Sequence, residues 1–175
     1  MKILVISASL SHQSKSRTLA KQAYQILSKQ TDTNFLDLRD YPLPLCDGGD
    51  SFSHPLVKKL QPMIAAADGI LIATPVYNYD VNAALKNMVE LTGDVWEQKL
   101  VGFLVAAGGK SSYMSVMKFG NSLMFEFRCL IIPRFVYATG EDFSPESNMP
   151  RPKIQERINE LCTALIKYGK ALSAV

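Results

Sequence analysis

The chain has 175 residues, of which 47% are hydrophobic and 20% are charged, and its formal net charge is +3. These values are typical of one globular domain that buries a sizeable core, and we expect a single domain over residues 1–175. The charge is too small to indicate a nucleic-acid or membrane partner. No apolar run reaches the ~20 residues that a membrane-spanning helix needs.

The three cysteines, Cys46, Cys129 and Cys162, are far apart in sequence and include no CxxC pair. The N-terminus reads as a strand and lacks the pattern of a signal peptide. Both features favour reduced thiols and a cytoplasmic protein.

Five apolar runs of strand length alternate with segments of helical character. The runs are mostly continuous, as is typical of strands covered by helices on both faces. The strands are predicted at Ile3–Ile6, Phe35–Leu38, Ile70–Ala73, Val101–Ala107 and Leu130–Ala138.

The intervening segments carry apolar stripes at helical spacing. Pro62 should kink or shorten the second helix. The stripes are Leu19, Ala23, Ile26 and Leu27; Leu56, Leu60, Met63 and Ile64; Val81, Leu85, Met88 and Val89; and Ile154, Ile158, Leu161, Cys162, Leu165 and Ile166, with a less regular fourth helix over Ser112–Phe127.

This strand–helix order predicts an α/β fold: a three-layer, doubly wound sandwich with a five-stranded parallel sheet and about five helices. Two irregular stretches, Arg39–Pro55 and Gly140–Pro152, are rich in turn residues and are predicted to be surface loops. Ligands of such sheets bind beyond the carboxyl ends of the strands, so function should lie in the loops after strands one, three and four.

The loop after the first strand combines hydroxyl groups with positive charge next to the predicted start of a helix. A helix start has unpaired N–H groups and a partial positive charge, which attract an anion. Cations are unfavourable there unless an anion binds, so we predict a phosphate site; the alternative is one N-cap serine among serines that only solvate a loop. The residues are Ser9, Ser11, Ser14, Lys15, Ser16 and Arg17.

Other phosphate motifs do not fit the sequence. Gly108–Ser111 resembles the end of a P-loop, but Leu104 stands where the earlier glycine is required, and no GxGxxG motif is present. None of the cysteines has an arginine six positions later, which excludes a cysteine phosphatase of similar fold. A receiver domain needs carboxylates where this chain has Ser7 and Thr74.

The loops after the third and fourth strands are suited to a flat ligand. Pro75 is expected to end its strand, and Val76–Asp80 to form a turn that exposes backbone N–H groups and places Tyr77 and Asn78 near the sheet edge. Gly108 and Gly109 allow the backbone to approach a ligand closely. Ordinary turns are the alternative for both loops. Together with the loop after the first strand, these two loops predict a site for a mononucleotide with a large base.

These motifs resemble the NAD(P)H-dependent FMN reductases of flavodoxin-like fold, most of all the branch whose best-known member supplies reduced flavin to an alkanesulfonate monooxygenase. The serine-rich phosphate loop of the family is matched by Ser9, Ser11, Ser14 and Ser16. Its Pro-x-Tyr-Asn turn and following Ala-Leu-Lys-Asn are matched by Pro75, Val76, Tyr77 and Asn78 and by 84–87, and its paired glycine by Gly108 and Gly109.

Three positions depart from the family pattern. The usual arginine of the phosphate loop is Ser11, so Lys15 or Arg17 must supply the charge. The glutamate that many members carry in the turn is Val76. A tyrosine of the fourth helix, linked in the close branch to transient flavin binding, is replaced by Phe119.

The resemblance implies an enzyme that uses FMN with NADPH or NADH and passes a hydride to flavin N5. The cofactor carries this chemistry, so no catalytic side chain and no metal are expected. The final acceptor, which is a flavin, quinone, azo compound or chromate, stays open. A flavodoxin-like electron carrier and a regulatory flavin-binding protein are the alternatives, although such carriers are typically strongly acidic and this chain is basic.

The third helix and its extension carry more apolar residues than one sheet face should need. Such a surface usually marks an interface, and the resembled family assembles through this region. We therefore expect a homodimer or a tetramer. The residues are Leu85, Met88, Val89, Leu91 and Trp96.

Overall fold

The computed structural model describes residues 1–172, in which strands and helices alternate as the sequence predicts. The strands are β1 (Lys2–Ser7), β2 (Asp32–Asp37), β3 (Gly69–Tyr77), β4 (Asp80–Val81), β5 (Leu100–Ala106), β6 (Leu130–Ile131) and β7 (Val136–Ala138). The helices are α1 (Lys15–Leu27), α2 (Pro55–Ala65), α3 (Ala83–Thr92), α4 (Met117–Phe127) and α5 (Pro152–Leu172). Across these residues, the helices are all too short or too polar to cross a bilayer.

The sheet has the strand order β2-β1-β3-β5, with β6 and β7 lying one after the other beside β5. All these pairs are parallel, whereas β4 pairs antiparallel with the end of β3. This is the doubly wound order of flavodoxin-like proteins. The predicted three-layer α/β sandwich is confirmed.

Each face of the sheet has its own apolar core. Ile3 and Val5 of β1 pack with α1 and α5 on one face, whereas Leu4 and Ile6 pack with α2, α3 and α4 on the other. Successive side chains of a strand point to opposite faces, so a strand covered on both sides must be apolar throughout. This burial explains the continuous apolar runs.

Two predicted elements differ in their bounds. The fifth strand is split into β6 and β7, because Pro133 lies in the gap and has no N–H group for the ladder. The fourth helix begins at Met117 rather than Ser112, after a 3-10 turn at Lys110–Ser112. The glycines and serines before it favour turns over helix. Helix α2 runs through Pro62 and ends at Ala65.

The apolar residues of α3 and its extension belong to the core, not to the surface. A 3-10 turn at Gly93–Trp96 folds back on the helix, and Trp96 Nε1 donates to Thr92 Oγ1 at 2.8 Å. The argument for an interface through this stretch is therefore wrong. Its five residues are at most 5% exposed: Leu85, Met88, Val89, Leu91 and Trp96.

Candidate functional site

The loops after β1, β3 and β5 leave the same edge of the sheet, since these strands are adjacent and parallel. We call them the serine loop (residues 8–14), the hairpin turn (Asn78 and Tyr79) and the glycine loop (residues 107–113). They contain half of the candidate residues, and the others lie directly beside them, at the end of β3 and in the first turn of α1, which begins after the serine loop.

Hydroxyl groups of the serine loop fix its backbone. Ser9 Oγ accepts from Ser11 N–H and Ser11 Oγ accepts from Gln13 N–H, both at 3.3 Å. Ser14 is the N-cap of α1, and its Oγ accepts from Arg17 N–H at 3.1 Å. Ser14 Oγ also lies 2.9 Å from Ser16 Oγ. A serine that accepts a hydrogen bond keeps its own proton for donation.

Several backbone N–H groups of this region have no partner. Those of Leu10, His12, Lys15 and Ser16 donate no hydrogen bond to any of the residues the structure describes. Lys15 and Ser16 open α1, where such groups attract anions. The arrangement of free N–H groups and serine hydroxyls therefore fits a phosphate.

Arg17 is buried beneath the loop. Its Nη1 donates to Ser11 O and its Nη2 to Ser9 O, both at 2.7 Å, and its Nε donates to Asp37 Oδ2 at 2.8 Å. These bonds hold two loop carbonyls towards the protein interior. The guanidinium is thus engaged mainly with the loop and with Asp37.

Asp37, at the end of β2, was missed by sequence reasoning. It pairs with Arg17 and also with Arg39, whose Nη2 lies 2.8 Å from Oδ2. Burial raises the pKa of Asp37, but hydrogen bonds from Arg39 and Arg17 outweigh it and hold the pKa below the usual value. The cluster of two arginines and one aspartate keeps one net positive charge. The one sequence signal was a carboxylate at the end of an apolar strand.

Lys15 is the cation of this region that remains available. Among the described residues no carboxylate pairs with it, and its Nζ lies 5.4 Å from the centre of the Phe143 ring. Of the two cations expected to serve a phosphate, the structure leaves Lys15 uncommitted.

The hairpin turn is tighter than the sequence predicted. Strand β3 continues past Pro75 to Tyr77, so Pro75 does not end it. Parallel pairing with β5 does stop at Pro75, because proline has no N–H, and Val76 and Tyr77 then pair with β4. Asn78 and Tyr79 have φ of 51° and 63°, as two-residue hairpins require. Left-handed backbone at a residue other than glycine is costly and often marks a functional site.

Asn82 is a second residue that sequence reasoning did not assign to the site. It occupies the N-cap position of α3, but its buried side chain makes no capping bond to that helix. Instead its Nδ2 donates to Ala8 O at 2.8 Å, and its Oδ1 accepts from Thr74 Oγ1 at 3.1 Å. It ties the serine loop to the hairpin.

The glycine loop offers open space. A Cβ added at Gly108 or Gly109 meets nothing within 4 Å. Neither has positive φ, so the backbone does not require glycine there. Tyr137 Oη donates to Gly109 O, and the Tyr137 ring packs against Tyr113 with centroids 5.5 Å apart.

A cleft of about 380 Å³ lies beside the hairpin, between α3 and α4. Tyr77, Asn78 and Phe119 line it, and Lys118 pairs with Asp80 at its edge at 3.0 Å. Phe119, which replaces the family tyrosine, is buried and packs edge-on against Phe103.

The strand order and the two helical layers define a flavodoxin-like domain. The family model described as NADPH-dependent FMN reductase matches residues 1–144, and the chain belongs to that family.

The chain is 27% identical to an NAD(P)H-dependent FAD/FMN reductase from Geobacillus thermodenitrificans, over 99% of this chain and 96% of the relative. It is 29% identical to an NADPH azoreductase from Bacillus sp. strain OY1-2, over 80% and 78%. A solved structure of an NADH:FMN oxidoreductase in its apo form matches with a TM-score of 0.75 at 17% identity, over 94% of this chain and 87% of the other, and shows the shared fold.

Family membership confirms the resemblance read from the sequence. The protein is an oxidoreductase that uses NAD(P)H and flavin.

Proposed function

We propose that the protein reduces FMN with the flavin phosphate in the serine loop and the isoalloxazine ring between the hairpin and the glycine loop. One observation carries the proposal: the N–H groups of Leu10, His12, Lys15 and Ser16 have no partner within the described chain, while Arg17 holds the carbonyls of Ser9 and Ser11 inward. Such a set of hydrogen-bond donors suits a dianion.

The phosphate is bound by hydroxyl and N–H donors, with Lys15 supplying the charge. Ser9 and Ser11 donate from their side chains. Ser14 and Ser16 share a hydrogen bond that leaves one of their two protons for the phosphate, and Arg17 acts from below by shaping the loop. Arg17 and Asp37 are therefore positioning residues in this proposal.

The isoalloxazine ring is oriented by the backbone of the hairpin and fits into the open space at the glycine loop. Pro75 and Val76 bring the chain to the hairpin, Tyr77 and Asn78 position the ring, and Gly108 and Gly109 leave room for it to approach the backbone. Bound FMN supplies the capacity to accept a hydride from NAD(P)H, and the protein contributes binding, orientation and exclusion of water. No side chain is assigned to acid–base catalysis.

Riboflavin tests this placement, because it has the same ring and lacks the phosphate. We expect calorimetric titration to show much tighter binding of FMN than of riboflavin, and added salt to narrow the difference. Equal affinities for the two flavins would overturn the phosphate site.

The acceptor that receives the electrons is proposed to be free flavin, a quinone, an azo compound or chromate. The name of the Bacillus relative, NADPH azoreductase, supports the azo compound as a second candidate. An electron carrier is the competing function, and steady-state NADPH oxidation with each acceptor separates it, since a carrier does not turn over with NADPH alone.

We also propose that the protein is cytoplasmic and that it forms a homodimer or tetramer. The surface that supports assembly is α4, not α3. Its exposed apolar side chains include Met117, Met124 and Phe125, the last 84% exposed.

A further inference from the structure

A cleft of about 530 Å³ lies on another side of the serine loop. Leu10 and His12 of the serine loop, the segment after β2 and the first turns of α3 line it. Its volume is in the range of small-molecule sites. Its described lining includes none of the serines or glycines assigned to FMN.

One wall of this cleft is held in place by Asn87 of α3. The wall is the segment 41–46, which we call the strap. Asn87 Oδ1 accepts from Cys46 N–H and its Nδ2 donates to Pro44 O, both at 2.8 Å. Tyr41 Oη donates to Met63 Sδ at 3.7 Å. The strap is therefore anchored at both ends, and the cleft is preformed.

The lining is mostly apolar and has one anchored guanidinium. Leu10 and Leu45 keep 56% and 83% of their surface exposed at the cleft. Arg39 is fixed to Asp37 through Nε and Nη2, while its Nη1 donates no hydrogen bond within the described residues. An apolar slot beside a held guanidinium suits a nucleoside whose flat base enters the slot and whose ribose carries a phosphomonoester. Asp40 follows Arg39 in sequence but does not line the cleft.

We propose that this cleft binds the 2′-phosphoadenosine end of NADPH, with Arg39 contacting the 2′-phosphate. The inference rests on the proposed function, which puts the nicotinamide against the flavin ring at the hairpin. Ala83 and Ala84, which begin α3 a few residues after Asn78, line the cleft. A dinucleotide can therefore extend from the ring site along the serine loop into it. Arg39 would make the enzyme prefer NADPH to NADH.

Calorimetry with FMN-saturated protein tests the cleft without turnover. We expect 2′,5′-ADP to bind about tenfold more tightly than 5′-AMP, which corresponds to about 1.4 kcal/mol. Arg39→Gln should abolish that difference. Lys59→Gln is the matched control, because Lys59 lies near Tyr41, 5.4 Å from its ring centre, but does not line the cleft.

A second pair of variants leaves Asp37 and its partners intact. Leu45 is exposed at the rim, so both Leu45→Glu and Leu45→Lys should fold. Leu45→Glu should raise the KM for NADPH about threefold, within the range of exposed charge pairs. Leu45→Lys should lower it or leave it unchanged. The KM for NADH, which has the same adenosine but no 2′-phosphate, should change less than the KM for NADPH in both variants.

The outcomes separate the candidate occupants. Equal binding of 2′,5′-ADP and 5′-AMP by the wild-type protein, or equal changes for NADPH and NADH in the variants, would overturn the proposal. Changes confined to FAD would assign the cleft to the adenosine of that flavin, and changes confined to a quinone or azo dye would assign it to the acceptor. A wild-type protein that binds 2′,5′-ADP and 5′-AMP equally but still reduces FMN with NADPH would reject this cleft alone, whereas a wild-type protein without NADPH:FMN turnover would reject the proposed function.

Discussion

Arg17 and Asp37 hold the serine loop from the buried side of the protein. The guanidinium draws in the carbonyls of Ser9 and Ser11, and the carboxylate of Asp37 balances its charge. A residue that never touches the ligand can thus decide which backbone groups face it. We expect this pair to control phosphate affinity through the shape of the loop.

The serines should divide into two roles. Ser16→Ala should weaken FMN about 10- to 150-fold, because a hydrogen bond to a charged group contributes roughly 1.5–3 kcal/mol, and should affect riboflavin much less. Ser14→Ala removes the N-cap of α1 and should also lower the free energy of unfolding by about 0.5–2 kcal/mol. Flavin titrations and denaturant unfolding measure the two effects. Equal loss of FMN and riboflavin in Ser16→Ala would mean that this hydroxyl serves only the helix.

Asp37 should make the free energy of unfolding depend on pH in the acidic range. Its pKa is lower in the folded protein than in the unfolded chain, so its contribution is complete above the unfolded pKa and is lost as pH falls through the folded pKa. Asp37→Asn leaves two arginines without their partner and should destabilise the protein by about 3 kcal/mol at neutral pH. We expect the difference in the free energy of unfolding between wild type and variant, measured by urea unfolding, to become smaller below about pH 4. A difference independent of pH would contradict an ionised Asp37.

At the scale of elements, the β3–β4 hairpin presents two tyrosines that differ in place. Both are about half exposed, but Tyr77 lines the cleft beside the hairpin and Tyr79 does not. The turn residues are Asn78 and Tyr79, both with positive φ, and this turn fixes the difference in place between the two tyrosines. Tyr77 is therefore the one expected to orient the flavin ring.

Replacing Tyr77 should disturb turnover more than binding. Tyr77→Ala should lower kcat/KM for NADPH by about tenfold or more, because a misplaced ring loses the alignment needed for hydride transfer, while FMN affinity falls less because the phosphate provides most of it. Tyr79→Ala is the matched control and should change neither value much. Stopped-flow reduction of bound FMN measures the step, and an unchanged rate in Tyr77→Ala would remove the hairpin from the ring site.

At the scale of the whole molecule, the apolar residues of α3 are buried in the core, whereas α4 has apolar residues that are exposed. Phe125, Met124 and Met117 are exposed on that helix. Surfaces of this kind commonly mark contacts between subunits. Helix α4 also lines the cleft beside the hairpin, so we expect assembly through α4 to affect the activity.

A charge on this surface should dissociate the assembly. We expect Phe125→Asp to sediment as a monomer at micromolar concentration while the wild-type protein sediments as a dimer or tetramer. Phe52→Asp places the same charge on another exposed phenylalanine and should leave the assembly intact. A monomeric wild-type protein would contradict the oligomer itself.

The sequence by itself determined the order of elements, the serine loop and the family. These depend on local information: apolar runs indicate strands covered on both faces, and serines next to a helix start predict either an anion site or a helix cap. Pro75, Tyr77 and Gly108 could be assigned to one edge of the sheet because parallel strands end there together.

Only the tertiary structure decided which groups of that edge are available to a ligand. From the sequence, Lys15 and Arg17 were equal candidates to supply charge to a phosphate, and only the structure shows that the Arg17 guanidinium pairs with Asp37, twenty residues later. Asn82 reaches Ala8 across 74 positions of sequence, and Trp96 is buried because a turn folds it against α2 and α3. Spacing along the chain carries no record of such partners, because they are set by how distant elements pack together.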